Sequence, residues 1–200
     1  MIRSLYRRNP DFFGIYDNAL SKKECEFLIN YFEQSNEVVH GRTTNGVVYD
    51  YKKCLELYGD FDNANVIENV IRSKLESCLK KYVKKYHFFR ESNTSLGALD
   101  VIPPWKYCRN FNIQKFDGEN DGFKIWHCEH GQMEESSKRI LAWMFYLNNA
   151  KSGTEFGYYP TINPREGRCV IWPSSWTHIH KGVIPNKGIK YIVTGWVSFL

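Results

Sequence analysis

The 200-residue chain lacks the signals of membrane insertion and secretion. It contains no run of the ~18 uncharged apolar residues that a membrane-spanning helix would need. Residues 1–10 carry three Arg with no apolar stretch behind them, so no secretory signal is expected. We therefore predict a cytoplasmic protein without a membrane partner.

Closely spaced cysteines are also missing. The cysteines form no Cys-x-x-Cys pair, which argues against a zinc site and against a redox dithiol. Widely separated thiols fit a reducing compartment, where they stay unpaired. The six cysteines lie at positions 25, 54, 78, 108, 128 and 169. Repeats and low-complexity tracts are absent as well, and the net charge of +5 is modest.

The first half of the chain has helical patterning. Ser21 and Glu24 form a capping-box pattern, and apolar residues follow at helical spacing from Phe27 to Phe32. A second helix is predicted to open near Asp62-Asn63, with an apolar stripe from Ile67 to Tyr86. Pro103-Pro104 marks the end of this region.

The second half changes to short apolar-rich runs separated by turn residues. Such runs at regular spacing predict a sandwich or barrel, so the expected class is α+β with helices in front of a β-barrel. The predicted strands are Tyr107–Phe116, Phe123–Glu129, Arg139–Asn148, Gly153–Tyr159, Gly167–Trp172, Trp176–His180 and Lys190–Leu200.

A cluster of metal-ligand residue types lies in two of these runs. On a strand, His127 and Glu129 would leave the same face and lie side by side. A third imidazole would complete a facial triad of two His and one carboxylate, which holds non-haem Fe(II) and leaves positions open. Both His178 and His180 could supply it, and their parity does not choose between them. Lys190 follows ten residues after His180 and twelve after His178.

These residues stand in an order that resembles the 2-oxoglutarate- and Fe(II)-dependent dioxygenases of the prolyl 4-hydroxylase type. The resemblance covers roughly residues 106 to 200. Its features, in chain order, are His127 with Glu129, Tyr146-Leu147-Asn148, the turn and strand Ser152 to Phe156, the strand Gly167 to Pro173, His180, and Lys190 to Trp196.

The resemblance implies a double-stranded β-helix, or jelly-roll, and one dioxygenase domain over residues 1–200. Residues 1–105 would be a helix-rich support and lid, and residues 106–200 the core with the metal site. The implied cofactors are Fe(II) and 2-oxoglutarate, with ascorbate as an optional reductant. The partners would be O2 and a peptide or small-molecule substrate, and a nucleic acid is not expected because no Arg-rich stretch follows His180.

Carried over to this chain, the resemblance assigns iron to His127, Glu129 and His180. Lys190 would pair with the distal carboxylate of 2-oxoglutarate, and Tyr146 would donate a hydrogen bond to it. Thr194 and Trp196 are an even number of residues from Lys190, so on a strand all three share one face and should line the same pocket.

Two positions depart from the family pattern. Glu129 stands where Asp is commoner, and its extra methylene moves the carboxylate outward. Phe116 stands where relatives often present a Tyr hydroxyl, so that hydrogen bond is either absent or supplied by Gln114. The expected reaction is hydroxylation of an aliphatic C–H, with a prolyl residue as the first choice. The alternatives are a hydroxylase of a free amino acid or other small molecule, and a catalytically silent jelly-roll that only binds.

Overall fold

The computed structural model describes residues 11–43, 46–63, 65–89, 95–97, 104–118, 120–184 and 188–200. Thirteen strands and three α-helices lie in these ranges, with single 3-10 turns at Phe61–Asn63 and Trp176–His178. In chain order the elements are β1 (Gly14–Tyr16), α1 (Lys22–Gln34), β2 (Val39–His40), β3 (Lys52–Lys53), β4 (Leu55–Asp60), α2 (Val66–Lys85), β5 (His87–Phe89), β6 (Ser95–Gly97), β7 (Trp105–Asp117), β8 (Gly122–Phe123), α3 (Glu134–Ser137), β9 (Arg139–Tyr146), β10 (Gly153–Phe156), β11 (Cys169–Pro173), β12 (His180–Val183) and β13 (Ile189–Phe199).

Helix α1 begins where its sequence predicts. The Ser21 hydroxyl accepts a hydrogen bond from the Glu24 N–H at 3.3 Å, and the Glu24 carboxylate accepts one from the Ser21 N–H at 2.7 Å. This reciprocal capping box satisfies N–H groups that the first turn leaves without helical partners. The predicted capping box is therefore confirmed.

Helix α2 begins slightly later than the sequence predicts. Residues Phe61–Asn63 form a 3-10 turn, and the helix starts after Asn65, whose side chain accepts a hydrogen bond from the Ile67 N–H at 2.9 Å. The predicted apolar stripe is buried at its centre, including Ile71 and Leu75. It packs against the main sheet and supports one face of it.

The main sheet has seven strands in the order β1-β11-β9-β13-β7-β4-β2, and every pair in it is antiparallel. Side chains alternate across it: Trp143 and Phe145 on β9 face the helices, whereas Met144 and Tyr146 face a second apolar cluster. Strands β1, β2 and β4 come from the first half of the chain. The division at residue 105 into support and core stays a prediction.

A smaller layer of strands lies against the second face of the main sheet. Strand β10 pairs with β12, β3 pairs with β8, and an isolated bridge joins His127 to His180. Two facing layers of antiparallel strands behind N-terminal helices confirm the predicted α+β jelly-roll class. Within the described ranges, no helix combines the length and apolar character needed to cross a bilayer.

A glycine allows the first helix to meet the core closely. Gly167, just before β11, has φ +75°, a conformation that favours glycine, and its carbonyl accepts a hydrogen bond from the Leu20 N–H at 3.1 Å. An added Cβ would lie 2.1 Å from the Leu20 carbonyl oxygen. The Gly in the predicted Gly167 to Pro173 segment therefore anchors the start of α1.

Two predicted strands are wrong in their extent. The run Phe123–Glu129 is a strand only at Gly122–Phe123 and is irregular beyond it, because the Glu129 and His130 N–H groups both donate to the Ser174 carbonyl instead of to a strand partner. The run Trp176–His180 is a 3-10 turn that becomes strand only at His180. The two histidines of that run therefore do not share one face of a strand.

Candidate metal centre

Three side chains converge on one point between the two layers. Ligand atoms of His127, Glu129 and His180 all lie within 4.8 Å of one another. The Glu129 Oε1 atom is 3.7 Å from His127 Nε2 and 3.3 Å from His180 Nε2. Among the described residues, this is the only such group of His, Cys, Asp and Glu side chains.

The backbone brings these residues together. The His127 N–H donates to the His180 carbonyl at 3.0 Å, and the His180 N–H donates to the His127 carbonyl at 2.8 Å. Because this bridge places the two residues directly opposite each other, their side chains leave the backbone close together. The bond from the Glu129 N–H to the Ser174 carbonyl, at 3.0 Å, then turns the chain so that Glu129 reaches the same point.

The imidazole rings present the nitrogen that a metal needs. His127 Nδ1 lies 3.0 Å from the Ile125 carbonyl, and His180 Nδ1 lies 2.9 Å from the His178 carbonyl. A carbonyl oxygen only accepts, so both Nδ1 atoms carry the proton and both Nε2 atoms keep a free lone pair. The His127 ring is also stacked on Phe123, with centroids 3.7 Å apart.

The protonation states suit a cation. Burial, followed by repulsion from His180, lowers the pKa of His127 to about 4, so this imidazole is neutral at pH 7. Burial alone would raise the pKa of the Glu129 carboxyl, but the neighbouring imidazoles of His180 and His127, followed by the charge of Arg139, outweigh it. The net pKa lies below the usual range, and Glu129 is a carboxylate.

The second candidate imidazole, His178, lies outside this cluster. Its Nδ1 is 2.9 Å from the Thr177 hydroxyl, its Nε2 is 3.0 Å from the Asp11 carbonyl, and its ring is stacked on Tyr159. Both ring nitrogens are therefore occupied within the protein. The structure brings His180, and not His178, to His127 and Glu129.

Lys190 carries a buried ammonium group. The residue is 3% exposed, and its Nζ lies 4.5 Å from the centroid of the Phe116 ring. Within the described part of the chain, no carboxylate pairs with it. Burial lowers the pKa of Lys190 from 10.5 to about 8. A buried cation of this kind attracts anions more strongly than an exposed one, because little water screens its charge.

Two residues predicted to touch the co-substrate have partners within the protein. The Tyr146 hydroxyl is fully buried, 2.8 Å from the Thr154 hydroxyl and 3.2 Å from the Ile162 carbonyl. The Gln114 amide donates to Glu56 at 2.6 Å. Their roles toward 2-oxoglutarate stay predictions.

The other two predicted pocket residues also have defined contacts. Thr194 donates to the Trp143 carbonyl at 3.0 Å. The Trp196 indole N–H donates to Glu129 Oε2 at 2.8 Å, so Trp196 directly contacts one of the three candidate metal ligands. That contact was not expected from the sequence, which predicted only that Trp196 lines the pocket.

Several residues near the centre were missed from the sequence. Lys52 and Glu56 form a buried ion pair, and Lys52 lies over the Phe123 ring that stacks on His127. Arg139 reaches Glu129 at 3.6 Å. Sequence signals for them are weak, because a Lys or Glu in a polar segment is normally exposed and its burial depends on tertiary contacts.

This donor set fits a non-haem iron site. Two neutral imidazoles and one carboxylate meet on one side, and each imidazole is fixed by a backbone carbonyl. Such a set binds Fe(II) while leaving positions for other ligands. Together with the jelly-roll fold and the buried lysine, this donor set is typical of mononuclear iron dioxygenases.

Comparison with known families agrees with this class. Residues 111–198 match the model of the 2OG-Fe(II) oxygenase superfamily. This match indicates a dioxygenase that uses Fe(II) and 2-oxoglutarate as cofactors. No curated protein sequence matches the chain significantly.

Solved structures with the same fold include several prolyl hydroxylases. A viral collagen prolyl hydroxylase from Paramecium Bursaria Chlorella virus-1, in complex with 2-oxoglutarate, has a TM-score of 0.65 and 14% identity over 94% of this chain and 97% of its own. A prolyl hydroxylase from Trichoplax adhaerens, in complex with a hypoxia inducible factor peptide, has a TM-score of 0.68 and 18% identity over 95% of this chain and 84% of its own. A Pseudomonas putida prolyl-4-hydroxylase has a TM-score of 0.68 and 12% identity over 94% of this chain and 93% of its own.

Proposed function

We propose that the protein hydroxylates an aliphatic C–H of a prolyl residue in a peptide or protein. The co-substrates would be 2-oxoglutarate and O2, and the co-products succinate and CO2. The observation that carries this proposal is the convergence of His127, Glu129 and His180. The buried Lys190, which has no carboxylate partner among the described residues, supports it.

In the proposed site, His127, Glu129 and His180 hold the iron. When bound, Fe(II) supplies the activation of O2 and the oxidation chemistry that side chains cannot perform. The protein contributes placement: the carbonyls of Ile125 and His178 fix the imidazole planes, and stacking on Phe123 limits rotation of His127. Because these ligands need no rearrangement, the site is preorganised.

Lys190 is proposed to bind the distal carboxylate of 2-oxoglutarate. An ammonium is a compact point charge with three donors, which suits the end of a narrow pocket. Its burial strengthens attraction to an anion, because there is little water to screen the charge. Thr194 and Tyr146 are proposed to line the same pocket, with Gln114 at its edge.

The substrate would approach from the more open side of the cluster. The His127 and Glu129 side chains are 17% and 16% exposed, whereas the His180 side chain is 7% exposed. Solvent therefore reaches the cluster on the side of His127 and Glu129. A prolyl ring arriving there would displace water from the region where the reaction takes place.

The choice of a prolyl peptide is supported by the structural neighbours. Three neighbours are prolyl hydroxylases, and the Trichoplax adhaerens enzyme was solved with a peptide. At identities of 18% or less they establish the fold alone, so the substrate is part of our proposal.

The ligand assignment can be tested by succinate formation in the presence of Fe(II), 2-oxoglutarate and peptide. His127→Ala and His180→Ala should abolish it while the protein stays folded, because each removes one of three ligands. His130→Ala is the matched control, since His130 is exposed and next to Glu129 in sequence. Turnover in either ligand variant would contradict the assignment.

The substrate can be tested with matched compounds. We expect a mass increase of one oxygen atom on Pro-containing peptides and none on the same peptides with Ala in place of Pro. Oxidation of free amino acids alone would support the small-molecule alternative. Absence of succinate with every substrate, despite bound iron, would support a silent binding module.

A further inference from the structure

The three proposed ligands are held by two different kinds of partner. Each imidazole donates its Nδ1–H to a backbone carbonyl, a contact that substitution does not remove. The Glu129 carboxylate is instead held by side chains, Trp196 and Arg139. The contacts that restrain the carboxylate can therefore be removed by substituting Trp196 or Arg139, without changing any of the three ligands.

The two oxygens of Glu129 have separate surroundings. Oε1 faces the imidazoles, 3.3 Å from His180 Nε2 and 3.7 Å from His127 Nε2. Oε2 points away from them, accepting the Trp196 indole N–H at 2.8 Å and lying 3.6 Å from an Arg139 nitrogen. One oxygen is thus directed to the metal position and the other is occupied.

Trp196 and Arg139 form a single support. The Arg139 guanidinium carbon lies 3.6 Å from the centroid of the Trp196 ring, and the guanidinium also donates to the Glu129 carbonyl at 3.4 Å. Trp196 lies on β13 and Arg139 on β9, which pair in the main sheet. The support is therefore built on a rigid element and not on a loop.

We propose that Trp196 and Arg139 are positioning residues that fix Glu129 Oε2, so that this carboxylate offers one oxygen to the metal. The inference rests on the proposed metal site. It also explains how Glu can stand in place of Asp: a longer side chain has more rotamers, and an unrestrained carboxylate can chelate with both oxygens. A second coordinating oxygen would take a position that the facial triad leaves open.

Trp196→Phe is the test variant, because it removes the indole N–H and keeps an aromatic ring under Arg139. Trp172→Phe is the matched control: the Trp172 ring is 5.2 Å from the His180 ring, but its buried N–H has no hydrogen-bond partner among the described residues. Co(II) is titrated into the metal-free proteins, and affinity and visible absorption at saturation are recorded. Thermal unfolding of the metal-free variants checks their folding.

We expect Trp196→Phe to bind Co(II) about 10- to 100-fold more weakly than the wild type, with shifted absorption bands at saturation, and Trp172→Phe to match the wild type. Affinity within about threefold of the control, or bands identical to those of the wild type, would overturn the inference. Failure of the wild type to bind Co(II) would overturn the proposed metal site as well, so the two failures are distinguishable.

Arg139→Met gives a second, independent test in case Trp196→Phe does not fold. It keeps an unbranched apolar stem over Trp196 and removes only the charged group. Because the Arg139 contact with Oε2 is longer, at 3.6 Å, the expected loss of Co(II) affinity is smaller, about three- to tenfold. Unchanged affinity in Arg139→Met would remove Arg139 from the support.

Discussion

The affinity for 2-oxoglutarate should fall as the pH rises through 8. Lys190 must be protonated to attract a carboxylate, and burial lowers its pKa in the free pocket to about 8. A bound carboxylate would stabilise the ammonium and return its pKa towards the ordinary value of about 10.4. Binding is then coupled to uptake of a proton wherever the free lysine is neutral.

The size of the effect follows from this pKa. With a value of about 8, the amine is about nine-tenths protonated at pH 7 and about one-tenth protonated at pH 9. The dissociation constant should therefore rise about tenfold between these pH values, or about 1.4 kcal/mol. Below pH 7 this contribution should be constant, because the lysine is already charged.

Isothermal titration at pH 6 to 9, with Mn(II) in place of iron to prevent turnover, measures this dependence. The control ligand is 2-oxopentanoate, which keeps the 2-oxo acid end and has a methyl group where 2-oxoglutarate has its distal carboxylate. The difference between the two ligands removes any titration at the metal end. The control variant is Lys190→Arg, because a guanidinium stays charged throughout this range.

The expected result is a pH-dependent preference for 2-oxoglutarate over 2-oxopentanoate in the wild type and a flat preference in Lys190→Arg. If the preference of the wild type stays constant from pH 7 to 9, Lys190 is not the carboxylate partner or is not titrating in the free pocket. Equal affinity for both ligands at pH 7 would refute the role of Lys190 outright.

Three further predictions concern stability. The lowering of the Lys190 pKa from 10.5 to about 8 means that burying the charged lysine costs about 3 kcal/mol below pH 8. The free energy of unfolding should therefore rise as the pH increases from 8 to 10.5. In urea unfolding at pH 7, Lys190→Met should stabilise the metal-free protein by up to the same amount. Glu56→Gln leaves the Lys52 ammonium buried without its partner and should lower the free energy of unfolding by about 3–5 kcal/mol. The control Glu26→Gln, in an exposed ion pair, should lower it by less than about 0.5 kcal/mol, and equal losses would contradict the prediction. Ser21→Ala removes the α1 cap and should cost about 1 kcal/mol, and no change in the urea midpoint would show that the cap is dispensable.

Much of the fold could be predicted from local patterns. The capping box at Ser21, the buried stripe of α2 and the strands around Tyr146 and Trp172 each depend on signals a few residues long, and the structure has them close to the predicted bounds. Strands β2 and β4 were harder, because β2 is only two residues long and β4 mixes charged and apolar residues. Strand β4 joins the main sheet by pairing with β7, which is distant in sequence, and β2 joins it by pairing with β4.

The site residues illustrate a different limit. A regular strand would place His127 and Glu129 side by side, but residues 124–129 form no regular strand. What brings them together is long-range: backbone bonds from this segment to His180 and Ser174, more than forty residues away. Residue types and spacing indicated the ligands, while the geometry depended on partners that a local pattern does not specify.

The two departures from the family pattern have different physical consequences. At position 129, the longer Glu is accommodated because Trp196 on the main sheet reaches its outer oxygen. At position 116, Phe has no hydroxyl, and the ring faces the Lys190 ammonium at 4.5 Å. An aromatic face attracts a cation without occupying its N–H donors, so all three stay available to an incoming carboxylate. With Gln114 held by Glu56, the affinity of the proposed pocket for a dianion would then depend on Lys190 more heavily than it would with a tyrosine hydroxyl at position 116.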